Sequence, residues 1–187
     1  MNKLLSLLII LNFTTIHMNG AEQVLTSFET SGQKITDWQI VDDGVMGGLS
    51  KGKFNISDDK KLKFSGNLSL ENNGGFSSIR SKRTTMDLSQ FKGIKMRVKG
   101  DGRKYKLRLE SDSRYRRMAV SFQHEFSTSK DGWSEVFIPF DKLKASFRGW
   151  NLPGMKFNSK SIQRVGLIIA DKIEGPFELH VDWIKAI

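Results

Sequence analysis

Two adjacent aspartates, Asp42 and Asp43, are the residues whose type and spacing point most directly to chemistry. A carboxylate pair can ligate calcium, or it can act in glycoside cleavage when two carboxyl groups lie about 5 to 9 Å apart. Followed by Gly44, the pair is also typical of a turn, because Asp bonds its own backbone and glycine accepts positive φ. We predict the turn as its main role, contact with a ligand or partner as the second, and no catalytic or metal-binding function.

Few other residues offer a catalytic group. The chain has no cysteine, which excludes disulfides, thiolate metal sites and cysteine nucleophiles. His124 and His180 do not stand at metal-ligand spacing with another histidine or a suitable acid. Motifs for a nucleophile elbow, a P-loop or a dinucleotide site are missing. These observations indicate a protein that is not an enzyme and that uses neither a cofactor nor a metal. A hydrolase with unrecognised acids is kept as a competing hypothesis.

The two aspartates belong to a longer segment, Trp38 to Ser50, that neither strand nor helix periodicity explains. Its sequence is WQIVDDGVMGGLS, in which Val45 and Met46 lie between the Asp-Gly turn and the pair Gly47-Gly48. An unbranched, polarizable methionine suits an adaptable contact. The segment therefore predicts a loop of defined shape that presents these two apolar side chains.

A second glycine pair, Gly74-Gly75, precedes a strand-like run, and the period of two puts Phe76, Ser78 and Arg80 on one face. An aromatic ring, a hydroxyl and a guanidinium on one face are able to line a binding surface. Trp150 lies in a further loop, where an indole could stack on a sugar ring. The predicted ligand-binding or partner-binding residues are Asp42, Asp43, Val45, Met46, Gly47, Gly48, Ser50, Gly75, Phe76, Arg80 and Trp150.

The elements that must position these residues are strands. Short alternating runs separated by Gly, Asn, Asp or Ser recur along the chain, which is typical of a sheet protein. The clearest prediction is a hairpin in which residues 94–99 and 104–110 alternate around Gly100-Asp101-Gly102. A short helix is predicted only for Asp141 to Phe147. Further strand candidates are Trp38 to Val41, Lys61 to Ser65, Gly75 to Arg80, Met118 to Phe122, Val136 to Phe140, Arg164 to Ala170 and Phe177 to Trp183, the last with Phe177, Leu179, Val181 and Trp183 on one face.

Eight or so strands in a chain of this size predict an all-β fold. The expected architecture is an antiparallel jelly-roll sandwich, whose two sheets cover each other's apolar faces. The sequence shows no internal repeat and no Pro-rich linker, so residues 22–187 are predicted to form one domain. A domain of this size buries about 70% of its unfolded surface, so it can be stable without disulfides.

Residues 1–21 have the layout of a secretory signal peptide. Lys3 precedes the apolar run Leu4 to Phe13, and the small residues Asn19, Gly20 and Ala21 follow it. The run is shorter than the roughly 20 apolar residues of a membrane-spanning helix, and a mitochondrial transit peptide would be rich in arginine. We therefore predict an exported protein, periplasmic or secreted, without a transmembrane helix.

The formal net charge of the chain is +10, and the basic residues are clustered. Such a stripe attracts polyanions, and an anionic surface suits an exported protein better than nucleic acid, which we do not expect as a partner. A solubilising sheet face explains the same pattern. The basic residues on the predicted hairpin are Lys95, Arg97, Lys99, Lys104, Lys106 and Arg108, and Arg114, Arg116 and Arg117 follow them.

Five blocks of the sequence resemble the complex I intermediate-associated protein 30 family. They are WQIVDDGVMGGLSKGKF, FSGNLSLENNGGFSSIRS, DLSQFKGIKMRVKGDGRKYKLRL, EVFIPF after Trp133, and VGLIIADKIEGPFELHVDWI, in the family's order from Phe28 to Ile184. The string Asp-Gly-Val-Met-Gly-Gly-Leu-Ser and the following Gly-Gly-Phe are its specific parts. The resemblance implies a galactose-binding-like fold and a non-catalytic assembly factor for the respiratory NADH dehydrogenase.

Predicted export would separate the chain from that respiratory complex, so the resemblance supports a binding activity more than the respiratory role itself. The main hypothesis is therefore an exported binding or assembly module that engages a protein partner. The alternative is a carbohydrate-binding module on the same sandwich, since one fold hosts several kinds of ligand.

Overall fold

The computed structural model describes residues 21–28 and 37–187, so the predicted signal peptide lies almost wholly outside the described residues. Within these ranges the chain forms thirteen β-strands and three short 3-10 turns, at Asp43–Met46, Glu71–Asn73 and Phe140–Lys142. The strands are β1 Gln23–Ser27, β2 Trp38–Asp42, β3 Lys51–Ile56, β4 Leu62–Leu68, β5 Ser77–Ser81, β6 Gly93–Gly100, β7 Lys104–Tyr115, β8 Met118–Ser127, β9 Ser134–Pro139, β10 Lys144–Phe147, β11 Trp150–Asn151, β12 Ile162–Ile169 and β13 Gly175–Ala186.

The strands form two antiparallel sheets, which confirms the predicted all-β jelly-roll sandwich. The first sheet has the order β3-β4-β13-β6-β9, with β1 paired to the far part of β13, and the second has the order β11-β10-β8-β7-β12-β5-β2. Between the sheets, the alternating residues Tyr105, Leu107 and Leu109 of β7 face Leu179 and Val181 of β13, all of them fully buried. Each such side chain contributes about 1.5 to 3 kcal/mol through its removal from water.

The predicted hairpin around Gly100-Asp101-Gly102 is wrong. β6 pairs with β9 and β13 in the first sheet, whereas β7 pairs with β8 and β12 in the second. The three residues therefore form a crossover between the sheets. Gly102 has φ of 87°, which suits a sharp reversal of the chain in either arrangement.

The crossover also divides the predicted basic stripe. Lys95, Arg97 and Lys99 lie on the outer face of the first sheet, and the basic residues of β7 lie on the outer face of the second. Several of them are paired, for example Lys95 with Glu135 at 2.5 Å and Lys104 with Glu125 at 3.2 Å. The basic residues thus lie on two separate, partly neutralised faces, so the prediction of a single basic stripe that attracts polyanions is wrong.

Two smaller predictions also differ from the structure. Asp182 is an extra residue in the pairing of β13 with β6, where the register shifts between Val181 and Trp183. A bulge of this kind reverses which side chains face the core beyond it. Ile184 therefore lies in the core in place of Trp183, and the Lys185 ammonium group lies 4.8 Å from the centre of the Trp183 ring. The predicted helix from Asp141 to Phe147 is replaced by the 3-10 turn at Phe140–Lys142 and strand β10.

The crossover loop is tied to the neighbouring loop between β12 and β13 by Arg103. Its guanidinium group donates to both oxygens of Asp171, at 2.9 and 2.7 Å, and to the backbone oxygens of Ile173, Gly175 and Pro176. Burial would raise the pKa of Asp171, but the bonds from Arg103 and from the Ile173 amide outweigh it and hold that pKa below its usual value. The paired hydrogen bonds between the Arg103 guanidinium and the Asp171 carboxylate, both nearly buried, thus hold together the β6–β7 loop and the β12–β13 loop.

We expect Asp171→Asn to lower the free energy of unfolding by about 3 kcal/mol, because it leaves the buried Arg103 without its counter-charge. Urea unfolding followed by intrinsic fluorescence measures the change. Asp141→Asn is the matched control, since Asp141 lies 4.0 Å from Lys142 in a pair that is exposed to solvent and such pairs contribute little. Equal stabilities of the two variants would contradict the role assigned to the Arg103–Asp171 pair.

Candidate functional site

The carboxylate of Asp43 is the centre of the segment that the sequence singled out. One oxygen, Oδ1, accepts the backbone N–H of Ser50 at 3.0 Å. The other, Oδ2, accepts the Ser50 hydroxyl at 2.6 Å and the backbone N–H groups of Gly75 and Phe76 at 2.6 and 3.1 Å. A single side chain therefore joins the loop between β2 and β3 to the loop between β4 and β5. We call these bonds the Asp43 clamp.

The Asp43 clamp is closed to solvent, since Asp43 is 0% exposed. Burial alone would raise the pKa of this carboxyl, but the hydrogen bonds from Ser50, Gly75 and Phe76 outweigh it and hold the pKa below its ordinary value of 3.8. The side chain is therefore charged at neutral pH. With both oxygens engaged and no access from outside, it is placed to hold loops and not to reach a substrate.

Two glycines allow the loops to approach this carboxylate. A Cβ on Gly74 would lie 2.7 Å from Asp43 Oδ2, and a Cβ on Gly48 would overlap the Asp43 carboxyl group. Gly47, with φ of 91°, ends the 3-10 turn that begins at Asp43. The predicted glycines thus serve two needs, close approach and positive φ.

Asp42 makes a second, simpler set of bonds on the same loop. Its oxygens accept the backbone N–H of Gly52 at 2.9 Å and the hydroxyl of Ser77 at 2.6 Å. The paired acids therefore stiffen the turn through residues distant in sequence, and not through the bonds to their own backbone that the sequence suggested. Gly44 lies inside the 3-10 turn and does not have the positive φ expected of it. The two carboxylates therefore support the backbone. They do not face a common space in which one could act as an acid and the other as a base.

Ser69 and Asn72 extend this support, and neither was predicted from the sequence. The Ser69 N–H donates to the Ser50 hydroxyl at 3.0 Å, and the Asn72 amide donates to the backbone oxygen of Gly47 at 3.1 Å. Asn72 has φ of 54°, a left-handed conformation that asparagine tolerates. The run Glu71-Asn72-Asn73-Gly74 was the available signal for a tight turn here.

The clamped loop presents apolar side chains to solvent. Val45 is 74% exposed and Met46 is 60% exposed, and both lie on the 3-10 turn held by Asp43. Further exposed apolar residues lie on the same loop, on the loop between β4 and β5, and on the loop between β12 and β13. Because β3, β4 and β13 are consecutive in the first sheet, these loops adjoin at one end of the sandwich. We call this set the apolar end surface; it consists of Val45, Met46, Leu49, Leu70 and Ile173.

The predicted binding residues do not all lie in the same part of the structure. The residues from Asp42 to Ser50 lie together with Gly75 and Phe76 at the clamped end. Arg80 lies on the outer face of the second sheet, within strand β5. Trp150 lies on the hairpin of β10 and β11, which runs back toward the start of β8 and so belongs to the opposite end of the sandwich.

In the described parts of the chain, no cluster of three or more His, Asp or Glu side chains is arranged to hold a metal. His180 lies 2.7 Å from Glu178 on the outer face of the first sheet, and His124 lies 3.1 Å from the backbone oxygen of Lys142. No helix within residues 21–28 and 37–187 combines the length and hydropathy needed to cross a membrane.

Comparison with solved structures shows the same sandwich in carbohydrate-binding modules with a galactose-binding-like fold. The family 11 module of Clostridium thermocellum, in complex with a β-1,3-1,4-mixed-linked tetrasaccharide, is 17% identical with a TM-score of 0.66, over 89% of this chain and 95% of that chain. The family 11 module of the cellulase Lic26A-Cel5E from the same organism is 16% identical with a TM-score of 0.67, over 89% and 94%. These similarities define the class as a galactose-binding-like jelly roll.

The chain belongs to the complex I intermediate-associated protein 30 family, whose model matches residues 26–181. The mitochondrial complex I intermediate-associated protein 30 of Mus musculus is 27% identical, over 81% of this chain and 52% of the mouse protein. The protein of that name from Drosophila melanogaster is 29% identical, over 59% and 42%. The chain thus spans about half the length of the curated relatives it matches.

The curated relatives are named as mitochondrial proteins, which contradicts the prediction that this chain is exported to the periplasm or secreted. That prediction relied on the pattern of residues 1–21 alone, and a short apolar run behind one lysine is a weak indicator of destination. The reason for separating the chain from a respiratory role is removed with it.

We expect Asp43→Asn to lower the free energy of unfolding by about 2 to 4 kcal/mol. The asparagine side chain has one acceptor oxygen, so its amide group would face the N–H donors of Ser50 or of Gly75 and Phe76. Asp42→Asn is the matched control, because its amide can donate to the Ser77 hydroxyl while its oxygen still accepts from Gly52, and we expect a loss below about 1 kcal/mol. Denaturant unfolding compares the two variants.

The stability difference between wild type and Asp43→Asn should also depend on pH. A carboxyl whose pKa is lowered by folding stabilises the protein above its unfolded pKa of 3.8 and loses that effect as the pH falls through the folded value. The difference should therefore be constant near neutral pH and decrease below pH 3.8. A difference that grows on acidification, or equal losses in the two Asp variants at neutral pH, would refute the Asp43 clamp.

Proposed function

We propose that this chain is a non-catalytic binding module that associates with assembly intermediates of respiratory complex I, and that it engages a protein partner through the apolar end surface. Family membership and the names of the curated relatives support the kind of partner. The exposure of Val45 and Met46 on a clamped turn is the observation that carries the choice of surface.

Both shape and composition suit this surface to a partner. Large apolar side chains rimmed by polar residues commonly mark interaction sites, and methionine adapts to the groove it enters. The Asp43 clamp fixes the backbone beneath Val45 and Met46 before any partner binds. A pre-ordered loop loses less conformational entropy on binding, so more of the contact energy appears as affinity.

The proposal predicts that Met46→Asp removes the association and leaves the fold intact. The charge would be placed at the centre of a surface that must lose its water on binding, whereas in the free protein the side chain is exposed and makes no core contact. The measurement is co-migration of the tagged full chain with subunits of complex I on native gels of mitochondrial extracts, and thermal unfolding checks the fold.

Met118→Asp is the matched control. Met118 is also exposed, but it begins β8 at the opposite end of the sandwich. Wild type and Met118→Asp should both co-migrate with complex I intermediates, and Met46→Asp should not. Retained co-migration of a folded Met46→Asp protein would eliminate the proposed surface, and the absence of co-migration by the wild type would eliminate the proposed partner.

A second candidate function, carbohydrate binding, is favoured by one observation. Trp150 is 76% exposed at the tip of a hairpin, where Arg148 and Gly149 both have positive φ, at 47° and 83°. Two such residues form the tight turn that suits a two-residue hairpin, and the turn holds the indole away from the core. An exposed ring on a rigid tip is a suitable platform for stacking on a sugar.

For this candidate we expect Trp150→Ala to abolish binding to any glycan that the wild-type chain retains on a glycan array, because the indole is exposed for stacking, whereas the Phe147 ring of the same hairpin packs against Tyr115 and Arg148. Trp133→Ala is the comparison variant, since Trp133 packs against Arg97 at 5.4 Å and directly precedes β9 of the other sheet. An array with no retained glycan, or equal retention by wild type and Trp150→Ala, would exclude the candidate.

A further inference from the structure

Three arginines converge on the outer face of the second sheet. Arg80 on β5, Gly166 on β12 and Arg108 on β7 form one cross-strand row, and Arg164 lies two residues from Gly166 on the same strand face. The same residues, together with Glu110, line one small depression. Three guanidinium groups from three different strands therefore share a single recess, and Arg164 was not singled out by the sequence.

The recess carries an excess of positive charge. Glu110 is the one carboxylate in its lining, and it lies 3.8 Å from the Arg80 guanidinium and 4.0 Å from the Arg164 guanidinium, which is longer than a hydrogen bond. The side chains of Arg164 and Glu110 are mostly buried, at 17% and 13% exposed. One negative charge thus faces three positive charges in a partly desolvated place, where charges attract a counter-ion strongly.

Buried donors of the recess also lack acceptors. The Nε atoms of Arg108 and Arg164 are buried and make no hydrogen bond with any described residue. Arg108 is bonded through another nitrogen, which donates to the Ser121 hydroxyl at 2.6 Å. Buried polar atoms are normally bonded, so unsatisfied ones indicate a strained or a functional position. Burial is the main cause that lowers the pKa of Arg108 and of Arg164, and the charge of Arg80 adds to it against the opposing effect of Glu110.

The floor of the recess is a glycine. A Cβ on Gly166 would lie 2.8 Å from the backbone oxygen of Ile79 and 3.3 Å from the Cβ of Arg80. Gly166 thus lets β5 approach β12 closely, and it lines the depression between Arg80 and Arg108 where a larger residue could not fit.

We propose that the solvent-facing mouth of this recess, lined by Arg80, Arg108 and Arg164, binds a dianionic oxyanion of the phosphate or sulfate type. Three guanidinium groups less one carboxylate leave two positive charges, which a dianion neutralises and a single carboxylate does not. Guanidinium forks match the spacing of oxygens on such groups and bind them through paired, charge-assisted hydrogen bonds. The site is distinct from the apolar end surface and does not depend on the proposed complex I association.

Isothermal titration of the full chain with inorganic phosphate tests the proposal. We expect saturable binding to wild type at low salt, and at least tenfold weaker binding to Arg164→Gln and to Arg80→Gln. Arg117→Gln is the matched control, because it makes the same charge change at the exposed turn between β7 and β8, and its affinity should change less than twofold. Thermal unfolding of each variant without phosphate shows that it is folded.

A variant that removes a negative charge from the recess tests the charge argument. Glu110→Gln removes the one competing carboxylate, so phosphate should bind at least threefold more tightly. If Glu110→Gln does not fold, Arg80→Gln, the most exposed member of the cluster, still decides the case. The proposal is overturned if wild type shows no saturable binding, or if Arg117→Gln weakens it as much as Arg164→Gln.

Further titrations identify the source of the group. Acetate should bind at least tenfold more weakly than phosphate, and equal affinity for acetate would overturn the assignment to a dianion. Phosphoserine that binds more tightly than phosphate would identify an esterified phosphate group as the ligand, and equal affinities would identify the free ion. Either result supports the site.

Discussion

The hydrogen bonding of the ionised Asp43 carboxylate is the interaction on which the clamped end of this sandwich depends. The carboxylate adds to the backbone hydrogen bond that joins the two loops, from the Asp43 N–H to the Phe76 oxygen at 3.3 Å, by accepting the backbone N–H groups of Ser50, Gly75 and Phe76. Buried polar backbone needs such partners, and a charged acceptor satisfies several at once. The glycines at positions 48 and 74 follow from it, because only a residue without a side chain leaves room for the carboxyl group.

Local pattern was sufficient for the fold class and for most strands, and insufficient for how the strands pair. Alternation places Leu107 and Leu109 on an inner face whichever strand lies beside them. A Gly-Asp-Gly turn, however, suits both a hairpin and a crossover between sheets. What distinguishes the two here is distant in sequence: the Asp101 carboxylate accepts from the Glu178 N–H at 2.8 Å, and Arg103 binds Asp171. No local window contains these partners, so proximity in sequence wrongly favoured the hairpin.

The candidate functional site likewise has features that local sequence predicts and features that it does not. A turn that exposes Val45 and Met46 could be predicted, because glycine and aspartate mark turns locally. The bonds that hold this turn could not, since Gly75, Phe76 and Ser77 are more than 30 residues away. The contribution of Leu70 and Ile173 to the same end could not, since it follows from the order of β4 and β13 in the first sheet. For the same reason Arg80 was grouped with Phe76 by period, although its neighbours Arg108 and Arg164 come from β7 and β12. The bulge at Asp182 shows a related limit: one unpaired residue reverses every later side chain.

The string that marks the family is therefore chiefly a description of loop shape. Asp43 and Ser50 are buried and bond to backbone, Gly47 has the φ that the turn requires, and Gly48 makes room for the carboxylate. Within Asp-Gly-Val-Met-Gly-Gly-Leu-Ser only Val45, Met46 and Leu49 are large apolar side chains open to solvent. Since none of these three side chains belongs to the clamp, changing them would leave its hydrogen bonds in place. Family membership thus transfers the geometry of the loop, and the proposed partner would meet the few side chains that the clamp holds out to solvent.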